Sequence, residues 1–214
     1  MTEPAGNSKP KPDTAPGTHE AVLRLLEAEP RSKVLDMAAG EGALSLAFRE
    51  RGFEVYACDI APTFKVPDIP WKQWDLNSDA SPYPEGYFDY VACVEIIEHL
   101  ENPYHLVRQV RRILKGGGKL VLTTPNVTRL QSRIRFLLSG RLDNFPPDMR
   151  EHINPLFFWE LEHILSECGF AVECVTTNRV NKLAKLVRPL TWLLRAEDRL
   201  NLEAECYIIK SRKE

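Results

Sequence analysis

Acids and imidazoles near the middle of the chain have the side chains needed for metal binding or acid–base chemistry. Glu95, Glu98 and His99 stand at positions i, i+3 and i+4, so they share one face if this stretch is helical. Two carboxylates and an imidazole can bind a divalent ion, and oxygen-rich ligation favours magnesium or manganese. A fourth ligand is needed, and His152 is the best candidate. Glu95, His99 and His152 are also the candidate catalytic residues, with either histidine as a general base.

A glycine turn follows a short apolar run that is typical of a buried strand. Asp36 lies in that strand, Ala38, Gly40 and Gly42 lie in the turn, and a helix is expected to begin at about Ala43. Glycines let a backbone approach a ligand closely at the carboxyl edge of a parallel sheet, where open α/β folds bind nucleotides. The third glycine of the dinucleotide fingerprint is missing, which disfavours NAD without excluding it.

Acidic residues also end the next two predicted strands. Asp59 follows Asp36 by 23 residues and can accept hydrogen bonds from both hydroxyls of a ribose. Asp75 and Leu76 end the strand candidate 71–76. Structural alternatives stay open: Asp36 as a helix cap, Asp59 as an ordinary strand-end acid and Asp75 as a turn former.

The elements that must position these residues alternate between strand and helix. Helical apolar spacing begins at residue 18, recurs after the glycine turn, and again before a glycine run at 116–118 and before Gly169. Further short apolar runs predict strands at 33–38, 53–59, 87–94, 119–124, 170–177 and 204–210. This order indicates parallel βαβ units, and the last two strands could pair as an antiparallel edge. We therefore expect a doubly wound, mostly parallel, Rossmann-like α/β sheet with an antiparallel edge strand.

The ordered set of motifs over about residues 30–175 resembles the class I S-adenosylmethionine-dependent methyltransferases. The resemblance implies that the glycine turn packs against the methionine part of the cofactor, that Asp59 binds the ribose and that Asp75 binds the adenine amino group. Ala38 stands where the family usually has its first glycine, which costs one methyl group of clearance. The cofactor-binding residues expected on this basis are Asp36, Ala38, Gly40, Gly42, Asp59, Asp75, Leu76 and Cys93.

Within that class, the chain is similar to ubiquinone-biosynthesis O-methyltransferases and to small-RNA 2′-O-methyltransferases. The second resemblance implies a metal beside the acceptor hydroxyl, held by Glu95, Glu98, His99 and His152. Such a metal would lower the pKa of the hydroxyl and orient it for attack on the sulfonium methyl. Many relatives with a Glu-His pair after this strand need no metal and use the histidine to shape the pocket. Metal dependence therefore stays open, and His19, His105 and His163 receive no role.

Two basic segments, at about 127–155 and 179–199, are expected on the acceptor side. Residues 129–150 hold five basic and two acidic residues, and 179–199 hold six and two, although the whole chain has a net charge of −2. The second segment is also amphipathic, so it can contact an anionic membrane, a phosphate-bearing acceptor or RNA. Equally, both segments can be helices that cover the core. Aromatic residues are sparse there, so RNA ranks below a small or lipid-linked acceptor.

Composition bounds the remaining possibilities. Five cysteines without a C-x-x-C pair argue against a disulfide framework and a thiolate zinc site, which favours a reducing compartment. Residues 1–17 are polar and proline-rich and predict a disordered tail, leaving 18–214 as the methyltransferase domain. We expect a cytoplasmic protein, with peripheral membrane contact through 179–199 as an open alternative.

The sequence as a whole predicts methyl transfer from S-adenosylmethionine to an oxygen of a small or lipid-linked acceptor. Three alternatives remain at this point: a metal-dependent RNA 2′-O-methyltransferase, a non-catalytic methyltransferase-like binding protein, and a nicotinamide-dependent oxidoreductase.

Overall fold

Seven strands form one mixed β-sheet in the computed structural model, which describes residues 9–26, 31–77, 80–178 and 204–214. The strands are β1 (Lys33–Met37), β2 (Glu54–Asp59), β3 (Trp71–Gln73), β4 (Phe88–Cys93), β5 (Leu114–Pro125), β6 (Phe170–Thr177) and β7 (Cys206–Lys213). Their order across the sheet is β3-β2-β1-β4-β5-β7-β6. Neighbouring strands from β3 to β5 are parallel, and β7 is antiparallel to both β5 and β6. The predicted fold class is confirmed, with β7 one place inside the antiparallel end of the sheet.

Within the residues that the structure describes, five α-helices and one 3₁₀ turn accompany the strands. They are α1 (Thr18–Leu25), α2 (Ala43–Glu50), the 3₁₀ turn (Ile97–His99), α3 (Pro103–Ile113), α4 (Leu130–Ser139) and α5 (Phe158–Glu167). The start of α3 shows how local chemistry sets these bounds. The Asn102 side chain accepts a hydrogen bond from the His105 amide at 3.0 Å, and Pro103 occupies the first helical position, where no amide hydrogen is needed.

The apolar core lies on both faces of the sheet. Leu120 and Leu122 on β5 pack in a cluster with buried residues of α3 and α5, whereas Val121 between them packs in a cluster with α1 and α2. This alternation follows from the two-residue side-chain period of a strand. A sheet covered on both faces explains why the strands read as nearly continuous apolar runs.

The junction between α3 and β5 differs from the sequence prediction. The helix was expected to run to the glycines at 116–118, but it ends at Ile113, and the glycines belong to β5. Leu114 pairs with Phe88, yet the next pair on β4 joins Tyr90 to Lys119. The glycines are therefore accommodated as an irregularity within the strand rather than as a helix stop.

Candidate active site

A cavity of about 1070 Å³ opens at the carboxyl ends of β1, β2 and β4. The register places these ends level, because Met37 pairs with Cys58 on one side and with Cys93 on the other. This volume is at the upper end of ordinary ligand pockets, so a cofactor and a small acceptor can share it. The structure brings these predicted site residues together on its wall: Asp36, Ala38, Gly40, Asp59, Glu95, Glu98, His99 and His152.

Four other predicted cofactor residues do not line this cavity. Leu76 and Cys93 are buried in the apolar core, and the Cys93 thiol lies 3.5 Å from a methionine sulfur. The Asp75 carboxylate accepts a hydrogen bond from the Asn77 amide at 2.9 Å, as a turn-forming aspartate does. Gly42 ends the turn and lies close to Phe64 and Val66. A cofactor role for these four residues stays a prediction.

Asp59 holds the glycine turn in place. One carboxylate oxygen accepts a hydrogen bond from the Gly40 amide at 2.8 Å, and the other accepts one from the Ala61 amide at 2.9 Å. Each carboxylate oxygen has a second lone pair, so Asp59 can still accept hydrogen bonds from two ribose hydroxyls. Asp59 thus both shapes the turn and faces the cavity.

Gly42 and Ala38, two residues of the glycine turn, have left-handed backbone conformations. Position 42 requires glycine, whereas position 38 holds an alanine under strain. Gly42 has a φ of +95°, and a Cβ atom there would lie 2.6 Å from Val66 Cγ2 and 2.7 Å from Phe64 Cε2. Ala38 has a φ of +56°, a left-handed conformation that costs a non-glycine residue about 1 to 2 kcal/mol. The departure from glycine at position 38 is therefore a source of backbone strain at the cavity wall.

Asp36 is a buried acid beneath the turn. Its side chain is only 2% exposed, and it accepts a hydrogen bond from the Ser45 hydroxyl at 2.6 Å. Burial raises the pKa of Asp36 to about 7, against the lowering effect of that hydrogen bond. Burial therefore favours the protonated form of this carboxyl.

Glu95 does not share a helix face with Glu98 and His99, so that premise of the sequence analysis is wrong. The 3₁₀ turn begins only at Ile97, and Glu95 has a φ of +50°. One Glu95 oxygen accepts a hydrogen bond from the Thr123 hydroxyl at 2.7 Å, and burial raises the pKa of the carboxyl. The side chain is directed toward β5 and away from a shared helix face.

Glu98 is fully buried and has unused hydrogen-bonding capacity. Its Oε2 atom accepts a hydrogen bond from the Thr124 hydroxyl at 3.1 Å, while Oε1 has no hydrogen-bond partner among the described residues. Burial raises the pKa of Glu98 to about 8. Its main-chain oxygen accepts hydrogen bonds from the amides of Ile153 and Asn154, both at 3.0 Å. These two hydrogen bonds hold the segment that carries His152 beside Glu98.

His99 and His152 form an edge-to-face imidazole pair with ring centroids 4.6 Å apart. His152 Nδ1 lies 2.7 Å from the Asn144 carbonyl oxygen, so Nδ1 donates its proton to that oxygen and Nε2 is left as the acceptor nitrogen. Burial lowers the pKa of His99, which keeps its ring neutral at neutral pH. Both rings line the cavity and are suited to accept a proton there.

Three of the four predicted metal ligands come together. Potential ligand atoms of Glu98, His99 and His152 all lie within 4.8 Å of one another, whereas Glu95 is not part of this group. The unpartnered Glu98 oxygen fits a cation at this position, because a buried carboxylate oxygen without a partner is costly. One carboxylate and two imidazoles form a mixed oxygen and nitrogen donor set, which suits manganese better than magnesium.

The sequence analysis missed the N-terminal contribution to the cavity. Residues 11–15 and His19 line it, although disorder was predicted for 1–17 and His19 received no role. The Lys11 amide donates to Glu41 in the glycine turn at 3.1 Å. No motif marks these positions, because they reach the site only when the chain folds back over it. The disorder expected for 1–17 is not tested by this contact and stays a prediction.

The segment 127–155, which was expected on the acceptor side, contains α4, which leaves large apolar side chains in solvent. Leu137 and Leu138 are 84% and 80% exposed, and Phe136 is 55% exposed. The expected second segment, 179–199, lies outside the described residues. Within the part of the chain that is described, no helix is both long and apolar enough to cross a membrane.

Comparison with known proteins identifies the family to which this chain is related. A family model described as a methyltransferase domain matches residues 16–175. A ubiquinone biosynthesis O-methyltransferase of Xanthomonas oryzae pv. oryzae is 35% identical over 106 residues, which are 45% of this chain and 44% of that protein. Its counterpart in Xanthomonas euvesicatoria pv. vesicatoria is 34% identical over 133 residues, 58% of this chain and 55% of that protein. The chain thus spans about half the length of the curated relatives it matches.

Solved structures with low sequence identity share the fold. The structure of a SAM-dependent methyltransferase from Archaeoglobus fulgidus has a TM-score of 0.69 at 20% identity and covers 91% of this chain and 92% of its own. A methyltransferase structure from Mesorhizobium loti has a TM-score of 0.65 at 18% identity, covering 92% and 99%. Since the family model spans most of the chain and the sheet has the class I strand order, methyl transfer is favoured over nicotinamide chemistry. The chain therefore belongs to the methyltransferase-domain family.

Proposed function

We propose that this enzyme methylates an oxygen atom of a small or lipid-linked acceptor. The observation that carries the proposal is the imidazole pair of His99 and His152 on the same cavity as the glycine turn and Asp59. A neutral imidazole next to the methyl donor is suited to take the proton of a hydroxyl. The curated relatives, which are named O-methyltransferases, support the same atom type.

The proposed reaction is an in-line displacement. The acceptor oxygen forms a bond to the sulfonium methyl as the carbon–sulfur bond breaks, and S-adenosylhomocysteine leaves with the electron pair. The hydroxyl proton passes to Nε2 of His152, whose Nδ1 proton is held by the Asn144 carbonyl. His99, neutral because burial lowers its pKa, is the neighbouring group that can share this proton. Positioning supplies most of the remaining catalysis, since the sulfonium is already reactive.

A lipid-linked acceptor is supported by the surface around α4. Phe136, Leu137 and Leu138 are exposed next to each other, and Arg141 follows two residues beyond the helix end. Apolar side chains flanked by cations suit an anionic membrane surface. We propose that α4, together with the basic segment 179–199, makes peripheral membrane contact.

Vesicle sedimentation tests this contact. The protein should sediment with vesicles of phosphatidylglycerol and phosphatidylcholine at low salt and be released at high salt. Replacing Leu137 and Leu138 with glutamine should reduce the bound fraction, whereas Ile60→Gln, which changes an exposed apolar residue outside α4, serves as the control. If the protein does not sediment with vesicles, or if sedimentation responds to neither salt nor substitution, α4 and the segment 179–199 would only cover the core.

Methyl transfer to a cell extract tests the acceptor class. Radiolabelled S-adenosylmethionine is incubated with the protein and extract, and the products are separated into organic-soluble, RNA and small aqueous fractions. Label in the organic fraction, stable as an ether, is expected for a lipid-linked acceptor, and an ether in the aqueous fraction for a small one. Label on nitrogen or carbon would contradict O-methylation.

A metal-dependent RNA 2′-O-methyltransferase is the second candidate, favoured by the group of Glu98, His99 and His152. These three residues would hold the ion, and a bound divalent ion would lower the pKa of the acceptor hydroxyl. Label should then appear in RNA, a chelator should abolish transfer and manganese should restore it. Manganese should also raise the melting temperature of the wild type but not of Glu98→Gln. Full activity in chelator would exclude this candidate.

A further inference from the structure

The N-terminal stretch forms one wall of the cavity. Residues 11–15 and His19, here called the N-terminal wall, line the same space as Asp59 and His152. The residues of the N-terminal wall precede the first strand in the sequence, whereas Asp59 and His152 follow it. A wall that closes a pocket from outside the sheet can distinguish between ligands that the strand ends alone would accept.

One end of the N-terminal wall is fixed at the glycine turn. The Lys11 amide donates to a Glu41 oxygen at 3.1 Å, and the other Glu41 oxygen accepts from the Lys65 ammonium at 2.5 Å. Glu41 lies between the two glycines of the turn. The wall therefore begins at the part of the cavity where the cofactor is expected.

The other end of the N-terminal wall is connected through hydrogen bonds to Glu95, at the opposite part of the cavity. Thr18 is fully buried, and its hydroxyl oxygen accepts a hydrogen bond from the Asn178 amide group at 3.2 Å. The Asn178 oxygen accepts one from the Cys206 amide at 3.1 Å, and the Cys206 thiol lies 3.4 Å from Glu95 Oε2 as its donor. This chain of contacts holds the first turn of α1, which carries His19, toward the side of the cavity that contains Glu95.

Asp13 lies between these two fixed points, and His19 directly follows the second. Asp13 lines the same cavity as His99, and its carboxylate interacts electrostatically with that ring. The His19 ring is half-buried at the cavity wall. Among the hydrogen bonds within the described residues, none involves the side chain of Asp13 or His19. Both side chains line the cavity with hydrogen-bonding capacity that the described fold does not use.

On the basis of the O-methylation proposed above, we propose that Asp13 and His19 bind the methyl acceptor and make the N-terminal wall a determinant of acceptor specificity. A carboxylate accepts hydrogen bonds and repels anions, and an imidazole can donate or accept. The acceptor should therefore present a second hydroxyl or an ammonium group near the methylated oxygen. A phosphate or carboxylate in that position is disfavoured.

The test measures label transfer into the extract fraction that the wild type labels, over a dilution series of the extract. Asp13→Asn and His19→Gln should each reduce transfer roughly tenfold at low extract concentration and recover toward wild type at high concentration, because acceptor binding is weakened. Asp68→Asn and His163→Gln, which change exposed residues away from the cavity, are the matched controls. Affinity for S-adenosylhomocysteine, measured by calorimetry, should stay within about twofold for all four variants.

Two results would overturn the proposal. One is wild-type transfer by both wall variants, and the other is a loss of S-adenosylhomocysteine affinity as large as the loss of transfer, which would indicate a role in folding or cofactor binding. Asp13→Lys adds a check on charge, since faster transfer by this variant would mean that the acceptor is anionic there. The identity of the labelled fraction and atom tests the proposed function, whereas the ratio of variant to wild type within that fraction tests the wall.

Discussion

The two ends of the cavity are built in different ways. The end at which we propose that the cofactor binds, here called the cofactor end, is formed by Asp36, the glycine turn at 38–42 and Asp59, all from one short stretch of chain that covers β1, α2 and β2. The end at which we propose that the acceptor binds, here called the acceptor end, gathers Glu98 and His152 with the N-terminal wall, which lie far apart in sequence and meet only through the complete fold. One end is thus a local structure and the other is an assembly.

Their use of hydrogen bonds differs in the same way. At the cofactor end, two amides bind the Asp59 carboxylate and the Ser45 hydroxyl binds Asp36, so the fold itself fixes the geometry. At the acceptor end, Glu98 Oε1 is buried without a partner among the described residues, and His152 Nε2 is left to accept a proton. The acceptor end thus keeps hydrogen-bonding capacity that the fold does not use, and on the function proposed above this capacity serves the acceptor and its proton.

Replacing His152 with alanine should separate the two ends most clearly. Loss of the proton acceptor should lower the rate of methyl transfer by roughly 100-fold or more, while S-adenosylhomocysteine affinity changes by less than about twofold. Transfer is measured with radiolabelled donor and affinity by calorimetry. His163→Ala, on the exposed face of α5, is the control and should behave like the wild type. If His152→Ala instead binds S-adenosylhomocysteine poorly but transfers methyl at a normal rate once the donor is bound, His152 would act at the cofactor end and this division of the cavity would be wrong.

The sequence predicted the local end better than the assembled one. The strands and the turn could be predicted because apolar runs, glycines and strand-end acids all lie within one βαβ unit. The structure places Asp36, Gly40 and Asp59 on the cavity as expected. Even there, Asp75 fell outside the cavity wall, since a strand candidate predicted over 71–76 forms a strand only to Gln73.

The assembled end was only partly predictable, and the reasons are physical. The spacing of Glu95, Glu98 and His99 suggested one helix face, but a positive φ at Glu95 turns the chain before the 3₁₀ turn begins. His152 was predicted only as the best candidate for a fourth ligand, since no local pattern links it to residues so far away in the sequence. His19 gave no signal, since its place on the wall depends on tertiary contacts of Thr18 that a sequence pattern does not encode.

The cofactor end also carries an energetic cost that can be measured by pH. Because burial raises the pKa of Asp36 to about 7, the folded protein binds a proton more tightly than the unfolded chain between about pH 4 and pH 7. The free energy of unfolding should therefore decrease as pH rises through this window, with a contribution from Asp36 on the order of 4 kcal/mol. Asp36→Asn should remove that part of the slope in urea titrations of the ligand-free protein. Parallel pH profiles for the wild type and Asp36→Asn would contradict the buried-acid interpretation, and Asp68→Asn should leave the wild-type slope unchanged.

Asp59→Ala should weaken the cofactor end without disabling the other. The variant loses the acceptor of two ribose hydrogen bonds and the contact to the Gly40 amide, so S-adenosylhomocysteine binding should weaken by about 1 to 3 kcal/mol. At saturating S-adenosylmethionine, its transfer rate should return close to that of the wild type. Unchanged affinity in calorimetry would remove Asp59 from the cofactor site, and a rate that stays low at saturation would show that the two ends are coupled.

The smallest expected effect comes from the strained alanine of the turn. Ala38 has a left-handed φ of +56°, which glycine adopts without steric cost, so Ala38→Gly should raise the free energy of unfolding by about 0.5 to 1 kcal/mol after the greater flexibility of glycine in the unfolded chain is counted. Ala39 lies next to it on the same cavity wall, and its φ is not positive. Ala39→Gly should therefore destabilise the protein by a similar amount, because it gains flexibility in the unfolded chain and relieves no strain. Urea denaturation of both variants measures the difference. If both substitutions change the free energy of unfolding in the same direction, the turn is not strained at position 38. The local geometry would then accommodate the methyl group of Ala38, and the surrounding hydrogen bonds would not be needed to hold it in place.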